Sequence, residues 1–392
     1  MDFSISHEMR QVLDTLRKFI DQELQPIEGA VEEAGSGATE LLAPLRAKAL
    51  KMGMFAMNMP SDAGGPGFNT VEKCLVDEVI GRTTTPIARR VFGHVHQALM
   101  HCRDAQRDDY LLPAVRGERV GCFALSEPGA GSDAANLQTM ARAADGGYVI
   151  NGTKHFITDG DLADFAVVLA ATERGTGKQR RVTAFLVDKG VPGFRVGRVQ
   201  PMMGHVGLGH AELVLDDCRV SANKVLGDVG QGFQIAMNSI SAVRLGFIGA
   251  RAVGTATRLL ELCADYAGQR MQFGKRIGEF QMIQHMLADT ATEIFATRMM
   301  VLNTAWELDQ GHDVRDKVSM VKLYSSEMVN RVADRAVQIF GGMGVCSDLP
   351  IERFYRDSRV LRIYEGTSEI HRGRIGESIV KRGVDALGIT SR

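Results

Sequence analysis

Through residues 1–118, apolar side chains lie mainly three and four positions apart, the spacing that places them on one face of a helix. The stretch "ELLAPLRAKALKMGMF" (40–55) keeps this spacing over several turns. The segment "MPSDAGGPGF" (59–68) interrupts it with glycines and prolines, which are typical of a loop. We therefore expect an N-terminal all-α domain over residues 1–118.

Near residue 119 the pattern changes to short alternating runs rich in β-branched and aromatic residues. Asn151-Gly152 predicts a hairpin turn within the first run, because both residues tolerate positive φ. The polar stretch "ERGTGKQRR" (173–181) predicts a hairpin loop. We therefore expect a middle antiparallel β-barrel or sandwich over residues 119–228. The runs are "YVINGTKHFIT" (148–158), "DFAVVLAA" (164–171), "RVTAFLV" (181–187), "GFRVGRV" (193–199) and "AELVLDD" (211–217).

The helical spacing returns at about residue 230 and continues almost to the C-terminus. Long periodic segments cover 232–268, 280–310, 315–340 and the residues after 367. Four long helices joined by short connections predict a four-helix bundle over residues 229–392. The chain is thus expected to be a multidomain α+β protein, in the order helical domain, β-domain, helix bundle.

Composition places the chain among ordinary globular proteins, with 45% hydrophobic and 24% charged residues over 392 positions. A net charge of −1 argues against a nucleic-acid partner. Acidic side chains within the helical pattern of residues 1–24 exclude a signal peptide, a typical transit peptide and a membrane span there. Six single cysteines fit a reduced intracellular protein. We expect a cytoplasmic protein without a membrane partner.

A metal site is not expected, although His94, His96 and His101 lie close together in the sequence. Residues two apart on a helix do not share a face, and no carboxylate or cysteine cluster joins these histidines. The 19 methionines are interpreted as core residues.

Two segments of the β region carry candidate chemistry. "CFALSEPGAGSDAAN" (122–136) could present backbone N–H groups and hydroxyls to a cofactor, or it could be a plain turn. A Rossmann turn is rejected, because no βαβ unit surrounds it and no acidic residue follows about twenty positions later. Phe156 and Thr158 could flank a flat ring, although a core Phe is the commoner outcome.

Three segments of the C-terminal region carry further candidates. "QRMQFGKRIGEFQ" (269–281) offers Arg270, whose planar fork suits phosphate oxygens, or it is an ordinary loop between helices. "QIFGGMGVCSDLPIERFYRD" (338–357) has three glycines at a helix end, more than one C-cap explains. In "VLRIYEGTSEIHRG" (360–373), Glu365 is either a catalytic base or a solvated acid among basic residues. Local evidence alone favours the solvated acid.

Taken together, these segments resemble the acyl-CoA dehydrogenase family, and the resemblance covers essentially the whole chain. "ALSEPGAGSDAAN" resembles the family's first signature and departs from it at Asn136. The 338–357 segment resembles the second signature throughout, "RMQFGKRIGEFQ" the flavin-clamping loop, and "IYEGTSEI" the catalytic loop. Asp159 stands where an Asn or small residue often follows the Thr, and Phe280 where a His often precedes the Gln.

The resemblance implies non-covalent FAD between the β-domain and the bundle of a homotetramer, a dimer of dimers. Residues implied to border the flavin ring are Phe123, Leu125, Ser126, Gly131, Ser132, Phe156, Ile157 and Thr158. Those implied to hold the FAD of a neighbouring subunit are Arg270, Gln272, Phe273, Gln281, Gln338, Ile339, Gly341 and Gly342, with Thr367, Ser368 and Glu369 completing that site. Those implied to touch the acyl-CoA are Ser132, Arg244, Tyr364 and Gly366.

The implied reaction is α,β-dehydrogenation of a thioester to a trans-2-enoyl-CoA. Glu365 takes the α-proton, the β-hydride goes to flavin N5, and electrons pass to an electron-transferring flavoprotein. Some members carry the base directly before the Arg that here is Arg244, but that position is Val243, which cannot accept a proton. We expect burial beside the thioester to raise the pKa of Glu365 into a range useful for a base.

Four alternatives remain open from the sequence. Two are enzymes on the same fold, an acyl-CoA oxidase and a dehydrogenase of carrier-protein thioesters. A flavin monooxygenase of this fold is disfavoured by Glu365, since such enzymes usually lack that Glu. A non-catalytic helical scaffold would purify colourless, whereas a flavoprotein would be yellow.

Overall fold

The computed structural model describes residues 5–173 and 181–389. Its N-terminal region is helical, as the apolar spacing predicts. Ser6 accepts a hydrogen bond from the Met9 backbone and caps the first helix, and Asn69 and Glu72 form a capping box on the fourth. The helices are α1 (His7–Phe19), α2 (Glu28–Ala34), α3 (Ala38–Lys51), α4 (Thr70–Ile80), α5 (Thr85–Phe92) and α6 (Leu112–Val115).

The middle region is one twisted sheet with the strand order β6-β7-β3-β2-β4-β5-β8, and β1 lies beside β4. The sheet is mainly antiparallel, as expected, but β1 pairs with β4 in parallel and β2 touches β4 in parallel at one position. Apolar clusters cover both of its faces. The strands are β1 (Gly121–Ala124), β2 (Met140–Ala144), β3 (Gly147–Thr158), β4 (Phe165–Ala171), β5 (Val182–Asp188), β6 (Phe194–Val199), β7 (His210–Ser221) and β8 (Val225–Leu226).

The predicted hairpin turn at Asn151-Gly152 is wrong, because both residues lie inside the continuous strand β3. The strand bulges there: its register against β7 shifts between Ile150 and Gly152, and a Cβ on Gly152 would lie 2.7 Å from the Thr139 Cα. The turn between β2 and β3 falls instead at residues 145–146. Antiparallel β4 and β5 flank the predicted loop 173–181, of which residues 174–180 lie outside the described part of the chain.

The C-terminal region is the predicted bundle. A π-helical stretch, Arg244–Ala250, joins its first two helices into one long rod. A short hairpin of β9 (Met271–Gln272) and β10 (Lys275–Arg276) replaces the plain loop expected between the second and third. Thr367 caps the last helix through a hydrogen bond from the Ile370 backbone. The helices are α7 (Gly232–Val243), α8 (Arg251–Gln269), α9 (Gln281–Asp309), α10 (Arg315–Phe340), α11 (Ile351–Arg359) and α12 (Ser368–Arg382).

The N-terminal helices and the bundle share one apolar core. A buried ion pair crosses this contact: Arg258 of α8 donates to both carboxylate oxygens of Glu28, at 2.6 and 2.8 Å, and Thr83 donates to the same carboxylate at 2.9 Å. The two helical regions therefore pack as one body against which the sheet is placed.

Within residues 5–173 and 181–389, no helix is both long and apolar enough to cross a bilayer, and no three metal-ligating side chains form a group. All six cysteines are free thiols. His94 and His96 lie in an extended segment rather than on a helix, contrary to the helical placement assumed above, and both are involved in ring contacts.

Candidate active site

Glu365 lies on a tight turn between two helical segments. The chain leaves α11 through a 3₁₀ turn, Val360–Arg362, and re-enters helix at α12. Glu365 and Gly366 have φ values of +58° and +95°. Only glycine adopts such a backbone without strain, so Glu365 is held in a strained conformation of the kind that concentrates at functional sites.

Three side chains fix the backbone of this turn. Arg244 donates from Nε to the Glu365 carbonyl oxygen at 2.8 Å, and His371 donates to the same oxygen from Nε2 at 3.2 Å. Lys322, which is fully buried, donates to the Gly366 carbonyl oxygen at 2.5 Å. Because these contacts use carbonyl oxygens, they orient the turn without occupying the Glu365 carboxylate.

The Glu365 carboxylate is in surroundings suited to a base. Its Oε2 atom is buried and has no hydrogen-bond partner in the described residues. Burial raises the pKa of Glu365, while the positive charges of Arg244 and Lys322 act in the opposite direction. Burial likewise raises the pKa of the neighbouring Tyr364. The arrangement can therefore take a proton from a group that enters the site.

Lys322 and His371 were not recognised from the sequence as part of this site. Lys322 lies four residues after Val318 and three before Ser325, on the buried face of α10, where an unpaired lysine would be unfavourable. A lysine at an apolar-face position of a predicted helix is therefore a usable signal. His371 follows Glu365 by six residues across a turn, and its contact depends on a backbone geometry that residue spacing does not reveal.

The glycine-rich segment 122–136 is fixed by a buried ion pair that the sequence did not predict. Lys154 of β3 donates to the Glu127 carboxylate at 2.7 Å and to the Leu125 carbonyl oxygen at 3.0 Å. Glu127 also accepts from the backbone N–H groups of residues 138 and 139. The Ser126 carbonyl oxygen accepts from the His155 backbone at 2.9 Å. The segment is thus held to the sheet while residues 128–129 and 131–132 stay exposed.

The adjoining end of β3 presents an aromatic ring to solvent. Phe156 has a φ of +57° and is 54% exposed, which is unusual for a large apolar side chain. The Thr158 hydroxyl lies 3.3 Å from Nδ1 of His210. Ile157 is buried in the sheet core, so only its backbone is available to a ligand. Phe123 of β1 stacks on His96, with ring centroids 3.9 Å apart.

A cavity of about 270 Å³ lies between β1 and the N-terminal helices. Its wall includes His94 and His96. His96 stacks on Phe123, and His94 lies 5.1 Å, ring to ring, from Phe247 in the π-helical stretch that begins at Arg244. The cavity therefore lies between the β1 segment and the element that holds Glu365.

The predicted residues of the 270–281 and 338–342 segments form a separate group at the far end of α8. Tyr266 stacks on Phe340 at 4.2 Å, which joins the ends of α8 and α10. Ile339 is buried there, whereas Phe273 at the tip of the β9–β10 hairpin is 93% exposed. The residues of this group that are exposed are Arg270, Gln272, Phe273, Gln281, Gln338, Gly341 and Gly342. The 19 residues of α8, which begins after the stretch Arg244–Ala250, span about 28 Å between Arg244 and this group.

Comparison with known proteins agrees with this architecture. Residues 6–118, 122–218 and 230–380 match the acyl-CoA dehydrogenase N-terminal, middle and C-terminal domains, respectively. The chain therefore belongs to the acyl-CoA dehydrogenase family, and it is an oxidoreductase that acts on acyl-CoA.

Individual relatives cover nearly the whole chain. It is 37% identical to the human mitochondrial short-chain specific acyl-CoA dehydrogenase over 94% of this chain and 88% of that protein. It is 35% identical to the caffeyl-CoA reductase-Etf complex subunit CarC of Acetobacterium woodii over 96% and 99%. The structure of butyryl-CoA dehydrogenase from Megasphaera elsdenii superposes with a TM-score of 0.87 at 32% identity, covering 97% of this chain and all of that one.

Proposed function

We propose that this enzyme introduces a trans α,β double bond into an acyl-CoA thioester, with Glu365 as the base. The observation that carries the proposal is the Oε2 atom of Glu365, which is buried and has no hydrogen-bond partner in the described residues. Glu365 lies on a strained turn, and Arg244 and Lys322 fix the backbone of that turn. A positioned carboxylate of raised pKa is what removal of a weakly acidic α-proton requires. In the reaction the α-proton moves to the Glu365 carboxylate as the C=C bond forms.

FAD is the cofactor, and the residues of the chain fit it. Bound FAD supplies the acceptor for the hydride that leaves the β-carbon. The exposed Phe156 ring and the open backbone at Gly129 and Gly131, where an added Cβ would meet nothing within 4 Å, leave room for a flat ring against the β-domain. We assign the flavin ring to residues 123–132 and Phe156–Thr158, and the thioester to Ser132, Arg244, Tyr364 and Gly366.

The exposed group around Phe273 supports a homotetramer. This group is too far from Arg244 along α8 to serve the same site. An almost fully exposed aromatic side chain beside the exposed Met282 is typical of an interface. Arg270, Gln281 and the 338–342 run therefore hold the FAD of a neighbouring subunit. Thr367 and Glu369, which follow Glu365 at the start of α12, are assigned to complete that FAD site. The domains divide at 1–118, 119–228 and 229–392, which agrees with the change from helix to sheet and back.

Electrons pass from this enzyme to an electron-transferring flavoprotein in the cytoplasm, in fatty-acid β-oxidation. The relationship to the Etf complex subunit CarC supports the electron acceptor, and the six free thiols suit a reducing compartment. The same groups also serve the reverse reduction, since both directions share one transition state, so the direction depends on the potential of the electron partner.

The base assignment is tested with Glu365→Gln. We expect the variant to keep its yellow colour, while the rate of flavin reduction by acyl-CoA falls by roughly a thousandfold, within the range of general-base contributions. The matched control is Glu377→Gln, an exposed residue on α12 paired with Lys381, which should reduce its flavin at the normal rate. Turnover within tenfold of the unmodified enzyme in Glu365→Gln would contradict the assignment. Hydrogen peroxide release in place of dye reduction would instead identify an oxidase.

A further inference from the structure

The cavity beside the active site contains a cluster of charges that a hydrocarbon chain does not need. Arg89 and Arg90, in the last turn of α5, both donate to the carboxylate of Asp159, one to each oxygen. Asp159 is buried and the two arginines are mostly buried: the exposed fractions of the Arg89, Arg90 and Asp159 side chains are 15%, 9% and 4%. All three line the cavity. Asp159 is one of the residues that depart from the family pattern, and it directly follows Thr158, which is assigned to the flavin.

The charges of this cavity do not balance. Arg46, Arg89, Arg90 and Arg119 line it together with Asp159. Arg119 pairs with Asp188 at 2.8 Å, a carboxylate that it shares with Lys224, so Arg119 is left out of the charge balance of the cavity. Arg46 donates to the Gly117 carbonyl oxygen at 2.5 Å but has no carboxylate within 4 Å in the described residues. Three arginines therefore face one carboxylate, an excess of two positive charges.

The histidines of the wall do not alter this balance. Burial lowers the pKa of His96 to about 3 and that of His94 well below its ordinary value, with the charge of Arg89 acting in the same direction. Both rings are therefore neutral near pH 7. The Nε atom of Arg90 is buried and lacks a hydrogen-bond partner in the part of the chain that the structure describes. A buried cation with an unused donor is unfavourable unless an anion completes its surroundings.

The cluster lies where the far end of a substrate would be. The cavity runs along His96, which stacks on Phe123 of the flavin segment, and His94, which contacts the Phe247 ring. The positive charge of Arg89 also acts on Tyr364. Burial raises the pKa of Tyr364, and the charge of Arg89 acts in the opposite direction. Leu42, Leu99 and Val167 provide apolar wall between these points, which suits the methylene groups of an acyl chain.

We propose that Arg89 and Arg90 bind a carboxylate at the end of the acyl chain, so that the preferred substrates are CoA thioesters of dicarboxylic acids. The inference rests on the proposed function, because it places the thioester at Glu365. The planar guanidinium fork matches a carboxylate in two-point geometry. Asp159 holds both arginines in position before the substrate arrives. The chain is short, because about 270 Å³ is near the lower limit of ordinary ligand pockets.

Matched substrate pairs test the proposal on the unmodified enzyme. Adipoyl-CoA and hexanoyl-CoA have the same number of carbons and differ only in a terminal carboxylate or methyl group, as do pimeloyl-CoA and heptanoyl-CoA. We expect kcat/KM, followed by dye reduction, to be roughly ten- to hundredfold higher for the carboxylated member of a pair, the range of charge-assisted hydrogen bonds. Equal or better use of the methyl-ended member would overturn the inference and leave the proposed dehydrogenase intact. Failure of all four to bleach the flavin would instead overturn the proposed function.

Arg90→Gln separates binding of the carboxylate from general damage. We expect kcat/KM for adipoyl-CoA to fall at least tenfold, mainly through KM, while the value for hexanoyl-CoA stays within threefold. Arg103→Gln, which breaks an exposed pair with Asp228 that is not part of the cavity wall, should alter neither value. Equal losses for both thioesters in Arg90→Gln would mean a structural role only. If that variant does not fold, the substrate pairs on the unmodified enzyme still decide.

Discussion

Arg244 contacts the turn that carries Glu365, the proposed base, through the carbonyl oxygen of Glu365, at 2.8 Å, and not through its carboxylate. A direct ion pair would lower the pKa of the carboxylate and occupy its oxygens. Binding the carbonyl instead aims the side chain while leaving it free to take a proton. Burial of Arg244 lowers the pKa of its own guanidinium, but an arginine remains charged near pH 7. The charge of Arg244 therefore lowers the pKa of Glu365 without a direct contact to the carboxylate.

Arg244→Gln should slow flavin reduction by about a hundredfold, because the turn loses a donor that fixes it. It should also move the acid limb of the pH–rate profile. Glu365 must be deprotonated to act, so activity falls as pH drops through its pKa. Removing the charge of Arg244 takes away an influence that lowers this pKa, so the midpoint should move to higher pH. Stopped-flow reduction across pH 5–9 measures both effects.

The control for this variant is Arg315→Gln at the start of α10. Arg315 forms an exposed pair with Asp313 and lies outside the site. Its substitution should change neither the rate nor the midpoint. A lower or unchanged midpoint in Arg244→Gln, with flavin still bound, would contradict the assigned role of the Arg244 charge.

Gly366→Ala should damage the turn directly. The backbone at this position has a φ of +95°, which alanine rarely adopts, and an added Cβ would lie 2.9 Å from Nε2 of His371. We expect a loss of about 1–3 kcal/mol in the free energy of unfolding and weak flavin reduction, because the Glu365 carboxylate is displaced. Urea denaturation and dye reduction measure the two effects.

Gly373→Ala is the matched control, because Gly373 lies inside α12 and an added Cβ would meet nothing within 4 Å. Alanine in a helix interior should stabilise the protein by about 0.5–1 kcal/mol. Normal activity in Gly366→Ala would show that the turn tolerates a side chain and that its strain has no catalytic role.

Local patterns were enough to predict the long helices and the strands β3 to β7, because each depends on neighbours in the chain, but they did not predict the shorter strands β1, β2 and β8. Apolar spacing predicted the long helices of the bundle. The prediction of a turn at Asn151-Gly152 was wrong because the tolerance of positive φ that favours a hairpin turn also suits a β-bulge. Only the pairing of β3 with β7, a contact between distant segments, distinguishes the two.

The candidate site was predictable only as far as motifs extend. The position of Glu365 is read from its own loop, but its supports Arg244 and Lys322 come from two other helices. Asp159 was noticed as an unusual residue, yet its partners Arg89 and Arg90 lie about seventy residues earlier, and only the fold brings them together. Long-range charge pairs of this kind leave no trace in local spacing.

The buried pair of Lys154 and Glu127 should behave as one unit. Glu127→Gln leaves the Lys154 ammonium, which has no exposed surface, without its counter-charge. We expect a loss of about 3–5 kcal/mol in the free energy of unfolding. In the double variant Glu127→Gln/Lys154→Met the buried charge is gone, so the loss should be smaller than in Glu127→Gln alone. Urea denaturation of the unmodified protein, of Glu127→Gln and Lys154→Met, and of the double variant completes the cycle.

The pair should also give a pH dependence of known sign. Burial alone would raise the pKa of Glu127, but the charge of Lys154 and its hydrogen bonds lower it below the ordinary value. A carboxyl group whose pKa is lowered on folding stabilises the protein at pH values above its pKa in the unfolded chain, which is about 4.3 for Glu. This contribution is lost as the pH falls through the lower pKa of the folded state. Glu127→Gln should therefore flatten the acid side of the stability curve. Equal slopes in the two proteins would argue against a charged Glu127.

Phe273 tests whether the exposed end of the bundle meets another subunit. The side chain is 93% exposed at the tip of the β9–β10 hairpin, with a φ of +52° that a bulky residue adopts only under constraint. Phe273→Ser should reduce both the flavin content of the purified protein and its mass in light scattering, because the ring is proposed to contact a neighbouring subunit beside its FAD. Val199→Ser, at the exposed edge strand β6, should change neither. A variant that keeps full flavin content and mass would place the subunit contact elsewhere, and the assignment of Arg270 and Gln281 to a neighbour's cofactor would fall with it.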